Sequence, residues 1–192
     1  MFRRLSLLTT LCLLAAAGVA RSTTVIPPSF EALVSSANTI FVGEVMNVRA
    51  EWDTTPSGRA IITLVTFRVE EVWKGNLGAV TQLEFLGGEI GELGMKVEGM
   101  PVFRLGQRDV LFVSDEVRTV SPLVGFMHGR MRVERDTVSG VDRVRTFDGR
   151  ALGSVVQIGP QRATPSLASI TPMRLSDLAS AVRARAAAAR QR

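Results

Sequence analysis

Apolar and polar residues alternate most cleanly over residues 60–73. Ile61, Thr63, Val65, Phe67 and Val69 fall on one side of an extended chain there, and Arg68 and Glu70 on the other. A period of two is the signature of a strand with one buried face. After Glu70-Glu71 the pattern slips ahead of Val72 and Trp73, which predicts a bulge, because a single inserted residue exchanges the two faces. Residues 39–52 are rich in β-branched and aromatic side chains. They place Ile40, Val42, Met46, Val48 and Trp52 on one face, with Gly43 suited to a bulge or bend. Further strands are expected at 80–86, with Leu83 and Phe85 inward, and as a short buried run at 110–113. Residues 123–127 and 130–135 read as strand too, with Met131 and Val133 inward and Arg130, Arg132 and Glu134 outward. Ser139-Gly140 turns the chain into a hairpin partner at 142–147, and a weak strand is expected at 155–158.

Two segments follow helical spacing instead. Ser29 is placed to cap a short helix over 30–37, with Glu31 near its positive end. Thr171-Pro172 announces a C-terminal helix, since proline suits a first helical turn, and Leu175, Leu178, Ala179 and Val182 form its docking stripe. Beyond Arg183 the Ala/Arg tail favours helix but has nothing to bury, so it is expected to be exposed and frayed. About six closely spaced strands with no helix between them predict a mainly β fold. The expected architecture is an antiparallel closed or partly closed barrel, flanked by a short N-terminal helix and a C-terminal helix. A parallel sheet would need crossover helices that the middle of the chain does not offer.

The first twenty residues read as an address. Met1-Phe2-Arg3-Arg4 is a positive start, residues 5–20 carry no charge, and Gly18-Val19-Ala20 leaves small residues where a signal peptidase cuts. The uncharged run is interrupted by Ser6, Thr9, Thr10 and Gly18, which argues for a cleaved signal over a membrane anchor. The expected organisation is therefore a signal peptide at 1–20, a β-barrel domain at 21–158, a linker at 159–172, and a C-terminal helix and basic tail at 173–192. The expected location is secreted or periplasmic, with no integral membrane span after cleavage. The only cysteine, Cys12, leaves with the signal. Export without cysteine is commoner in bacteria than among secreted eukaryotic domains of this size.

Charge adds little. The net charge of +5 is carried by the ends, because Arg183, Arg185, Arg190 and Arg192 lie in the tail and Arg3 and Arg4 in the signal. A nucleic-acid binder concentrates basic residues on its folded surface, so no nucleic-acid partner is expected. With 46% apolar residues the chain is well above the composition of a disordered polymer.

The order of features resembles a known barrel. A short helix leads into Ala37-Asn38-Thr39-Ile40-Phe41-Val42-Gly43-Glu44-Val45. A second strand ends in Val69-Glu70-Glu71-Val72-Trp73-Lys74-Gly75, followed by Leu83-Glu84-Phe85 and a glycine-containing loop. Gly106-Gln107-Arg108 then opens a strand carrying Val110-Leu111-Phe112-Val113. This resembles the OB-type barrel shared by the tissue inhibitors of metalloproteinases and the netrin-like modules, and more closely a set of uncharacterised secreted bacterial proteins with that layout. The resemblance covers roughly residues 29–115 and implies an OB/netrin-like fold. The animal inhibitors begin with a disulfide-held cysteine that chelates the protease zinc. Here the expected mature start is Arg21-Ser22-Thr23, so that mechanism does not carry over.

Candidate chemistry is sparse. His128 is the sole imidazole, with no second histidine to complete a zinc set, and reads as a polar surface residue. Glu70-Glu71 and Asp115-Glu116 are adjacent along the chain and would point to opposite faces of a strand. Trp52 and Trp73 read as anchors at the ends of core strands, with a carbohydrate platform as the alternative. No phosphate-binding or nucleophile motif is present, and neither cofactor, metal nor catalytic residue is expected. The alternation fails over residues 87–106, which hold six glycines. Glu89, Ile90, Glu92, Leu93, Met95, Lys96, Met100 and Phe103 mix apolar and charged groups there on a flexible backbone, which suits partner recognition. A long hairpin packed on the barrel wall is the alternative. The expected function is non-enzymatic binding of another exported protein or a cell-surface polymer, with a protease as one candidate. The alternatives are a hydrolase using Asp and Glu assembled in space and a structural component of the cell surface.

Overall fold

The computed structural model describes residues 26–55, 58–115, 120–160 and 170–190. The expected signal segment, most of the expected linker and Glu116 lie outside the described residues. Helix α1 (Phe30–Ser36) is capped by Ser29, whose hydroxyl accepts the Ala32 N–H at 3.2 Å, and Glu31 stands in its first turn. Its C-terminal carbonyls are met by Lys74 Nζ, which donates to Val34 O at 2.7 Å and also to Ala37 O. A cation at this end complements the helix dipole.

The strands are β1 (Thr39–Thr55), β2 (Gly58–Lys74), β3 (Val80–Leu86), β4 (Gly88–Ile90), β5 (Leu93–Met95), β6 (Arg108–Val113), β7 (Arg130–Arg135) and β8 (Asp142–Thr146). Six form one antiparallel sheet in the order β3-β2-β1-β6-β7-β8, and β4 and β5 form a separate hairpin. Among the described residues no ladder joins the edge strands β3 and β8, so the fold is an antiparallel sheet rather than a closed barrel. The segment after β6 runs back beside the end of that strand and reaches the edge strand β3. Val124 N–H donates to Phe112 O, Ser114 N–H to Pro122 O, and Leu86 N–H of β3 to Val120 O. The strand expected at 123–127 is reduced to a single bridge, Val113 to Leu123, followed by a 3-10 turn at Phe126–Gly129. The weak strand expected at 155–158 is likewise a 3-10 turn, Val155–Gln157.

Both faces of the sheet are buried. Ile40, Val42, Val110, Phe112, Met131, Val133 and Val144 pack with Phe30, Leu33 and Val34 of α1 and with the C-terminal helix α2 (Leu175–Arg190). Phe41, Val65, Phe67, Phe85, Leu111 and Val113 form a second cluster on the opposite face. Sequential residues of β6 thus enter different cores, which is why residues 110–113 read as a continuous apolar run.

A bulge falls beside Glu70-Glu71, where the pattern slips, and another lies where the sequence gives no sign of one. Register shifts lie between Val42 and Gly43, opposite Glu71 and Val69, and between Val45 and Asn47. A Cβ on Gly43 would meet the Phe41 ring at 2.8 Å, so that position needs a glycine. The Val45–Asn47 shift corrects the single face expected of β1. Ile40 and Val42 stay in the helix-side core, while Met46, Val48 and Trp52 are left exposed. Trp52 lies under the Arg59 guanidinium at 4.4 Å, whereas Trp73 is buried and donates through Nε1 to Glu71.

The C-terminal helix begins later than Pro172. Met173 and Arg174 are extended against β8, with Val144 N–H donating to Met173 O and a bridge from Arg143 to Arg174. It also stays docked longer than the tail's composition suggests, because Ala186 is buried and Arg183 pairs with Glu71. No helix of the described residues is long and apolar enough to cross a membrane.

Candidate functional site

The least regular part of the sequence builds a cleft. At the end of β3, Gly87 and Gly88 take φ values of 100° and 146°, a region that side chains with a Cβ rarely adopt. There is also no room for a Cβ. One on Gly87 would stand 2.7 Å from Met95 O, and one on Gly88 would stand 2.5 Å from Thr63 Oγ1. These two residues fold the chain back over the sheet, so that the β4–β5 hairpin lies across β1 and β2. Thr63 Oγ1 donates to Gly87 O at 2.6 Å and Gly87 N–H donates to Ile61 O at 2.7 Å, which fastens the root of the hairpin.

The return segment, residues 97–106, is held differently. Phe103 is buried, edge-on to Phe67 at 5.4 Å and tilted against Phe85 at 5.0 Å. Above it lies Arg130, with Cζ 4.3 Å from the ring centroid. Arg130 is 2% exposed. It donates through Nε and Nη2 to the two oxygens of fully buried Asp109, each at 3.0 Å, and through Nη1 to Val102 O at 2.7 Å. Burial pushes the Asp109 carboxyl upward, opposed by the Arg130 and Arg132 charges. The Arg130 outward direction expected for β7 therefore leads into the second core, covered by the return segment.

Between hairpin, return segment and sheet lies a cleft of about 730 Å³. Its sheet side is Val48, Ala50, Thr63 and Phe85. Its other walls are Met95 and Val97 from the hairpin side and Met100, Val102 and Phe103 from the return segment. Of the eight residues singled out in the sequence, Glu89, Met95, Lys96, Met100 and Phe103 line it. Ile90 and Leu93 form the last pair of the hairpin, beside Glu92, and none of these three lines the cleft. Leu93 is 60% exposed, and so are Val102 and Leu105 on the return segment, at 76% and 69%. Within the segment, Phe103 and Met100 pack on the second core, while the hairpin turn is exposed. The sheet residues Val48, Ala50 and Thr63 were not legible as site residues, because only the hairpin's fold-back brings them to it.

Other titratable groups are engaged elsewhere. Arg108 bridges Glu70 and Asp142, with Nη2 to Glu70 at 2.7 Å and Nη1 to Asp142 at 3.0 Å. The bulge turns both members of the Glu70-Glu71 pair toward arginines. Burial raises the Glu71 carboxyl, yet hydrogen bonds from Trp73 and Arg183 and the charge of Arg183 prevail and hold it below the ordinary range. His128 is half-buried, edge-on to Phe147 at 5.1 Å, and burial lowers its proton affinity against the pull of Asp148. The one carboxylate on the lining of the cleft is Glu89. Among the described residues no three His, Cys, Asp or Glu side chains gather as a metal site would require. Comparison with protein-family models, with curated proteins and with solved structures returns no match for this chain.

Proposed function

We propose that the chain is an exported, non-enzymatic binding protein that recognises another extracytoplasmic macromolecule through the 87–106 segment. The observation that carries this reading is the cleft, with exposed Leu93, Val102 and Leu105 on the two segments that wall it. Concave apolar surfaces of this size are the usual form of a binding site, and large exposed apolar groups near one mark contact surfaces. Export rests on the signal-like residues 1–20. We read the sheet as a partly closed barrel of OB/netrin-like type. The support is β1, which pairs with both β2 and β6, together with the Leu86–Val120 hydrogen bond linking β3 to the segment beside β6. A hydrolase of paired carboxylates fits the cleft less well, since its lining holds a single one.

A photo-crosslinking residue at position 93 or 102 of the full chain, expressed in an exporting bacterial host, tests the reading. A discrete adduct is expected at both positions and none at Val138, which is 97% exposed on the β7–β8 turn. Adducts of equal yield at 138, or none at 93 and 102, would sink the proposal.

A further inference from the structure

We infer that the cleft is a binding site for a single-chain amphiphile, an acyl chain lying inside with its polar head at the mouth. The inference concerns the same cleft but stands whether or not a macromolecule docks beside it. It follows from where the polar groups are. Several polar atoms of the lining are already engaged: the Thr63 hydroxyl on Gly87 O, the Gly87 N–H on Ile61 O, the Val97 carbonyl with the Met100 N–H, and the Val102 carbonyl with Arg130. The side-chain nitrogens buried without a partner among the described residues, Arg132 Nε and Arg185 Nε, do not belong to the lining. A peptide strand laid against the engaged atoms of the lining would bring its own N–H and C=O groups to partners already taken, and a buried unmet polar group is costly. A methylene chain asks for no such partner.

The charges sit where a head group would be. Glu89 and Lys96 are the charged residues of the lining, and both are exposed. Met95 and Met100, unbranched and able to change rotamer, both belong to the wall and suit a flexible chain better than a rigid ring. The volume of about 730 Å³ lies within the range of small-ligand sites.

Calorimetric titration of the purified chain tests this with two ligand series, saturated fatty acids and lysophosphatidylcholines of eight to fourteen carbons, each below its micellar concentration. The expected result is saturable one-to-one binding that tightens by about fourfold for each added methylene, the equivalent of about 0.8 kcal/mol, until the cleft is filled. The two series separate the sources of the chain. Tighter fatty-acid binding that falls in Lys96→Glu identifies a free carboxylate head, and tighter lysophospholipid binding identifies a phospholipid-derived one. Val48→Trp, at a partly exposed position of the lining, is expected to weaken binding at least tenfold with an unchanged unfolding midpoint. Met95→Glu, which charges the hairpin wall, is the second variant if the first does not fold. Absence of saturable binding, independence of chain length, or unchanged affinity in a folded variant of either kind would overturn the inference. Because the crosslinking experiment reads a protein partner and this one a lipid, either can fail alone.

Discussion

Arg130 joins three parts of the molecule through one planar group. It neutralises Asp109 in the sheet, accepts the Phe103 ring against its face and holds the Val102 carbonyl of the return segment. A bidentate pair of this kind, fully out of water, is costly to break on one side, because the remaining charge stays buried without compensation. Arg130→Met is expected to lower the unfolding free energy by about 3–5 kcal/mol. Arg130→Met combined with Asp109→Leu should recover most of that loss, as apolar side chains of similar volume replace the pair. Urea denaturation of the two variants and the parent checks this, and a double variant no more stable than the single one would assign the loss to packing rather than to charge. In the sequence Arg130 is one of two arginines, with Arg132, expected on the outward face of a strand. Only the register of β6 and β7 shows that its outward face is a second core.

At the level of the elements, local pattern was a good guide wherever one face alone had to be explained. Strands β3 and β7 have the bounds that alternation predicts, and α1 begins behind the Ser29 cap. The pattern misled where an irregularity intervened. The shift between Val45 and Asn47 turns Met46 and Val48 away from the core of Ile40 and Val42, and no residue type announces it. Pro172 looked like a helix start, yet β8 has an edge to satisfy and takes Met173 and Arg174 as partners first. The tail is helical and exposed past Ala186, as its composition suggests, but helix propensity cannot show that Ala186 itself has a surface to dock on. The 3-10 turn of Phe126–Gly129 carries a prediction of its own. His128 is held below its usual value of 6.5 by burial, so the folded protein favours the neutral ring and the unfolded chain takes up the proton more readily. Its contribution to stability is therefore full above about pH 6.5 and is lost as the pH falls through the lower folded value. Replacing His128 by Gln should flatten the fall in thermal midpoint between pH 7.5 and 5. An unchanged slope would mean that other groups set it.

For the molecule as a whole, the sequence located the segment that builds the cleft but not the cleft itself. Residues 87–106 stood out because alternation stopped and glycine accumulated, and five of the eight side chains singled out there do face the cavity. The sheet side stayed hidden, because Val48, Ala50 and Thr63 look like ordinary strand residues until Gly87 and Gly88 fold the hairpin over them. The two walls of the cleft also differ in how they are attached. The return segment is tied to the sheet through Phe103, Arg130 and the Gly106 N–H, which donates to Val45 O at 2.9 Å. The hairpin is fastened chiefly at its root, and its turn residues Gly91, Glu92, Leu93 and Gly94 are exposed.

That asymmetry has a kinetic consequence. Opening of the cavity should be a swing of the hairpin alone about its paired glycines, since withdrawing the opposite wall would strip buried Arg130 of the Val102 carbonyl and the Phe103 ring. Native-state hydrogen exchange would see this directly: the amide of Gly106 should exchange only with global unfolding, while those of residues 88–95 exchange through a cheaper, local excursion. Equal protection on both sides would mean that the cavity has no moving door.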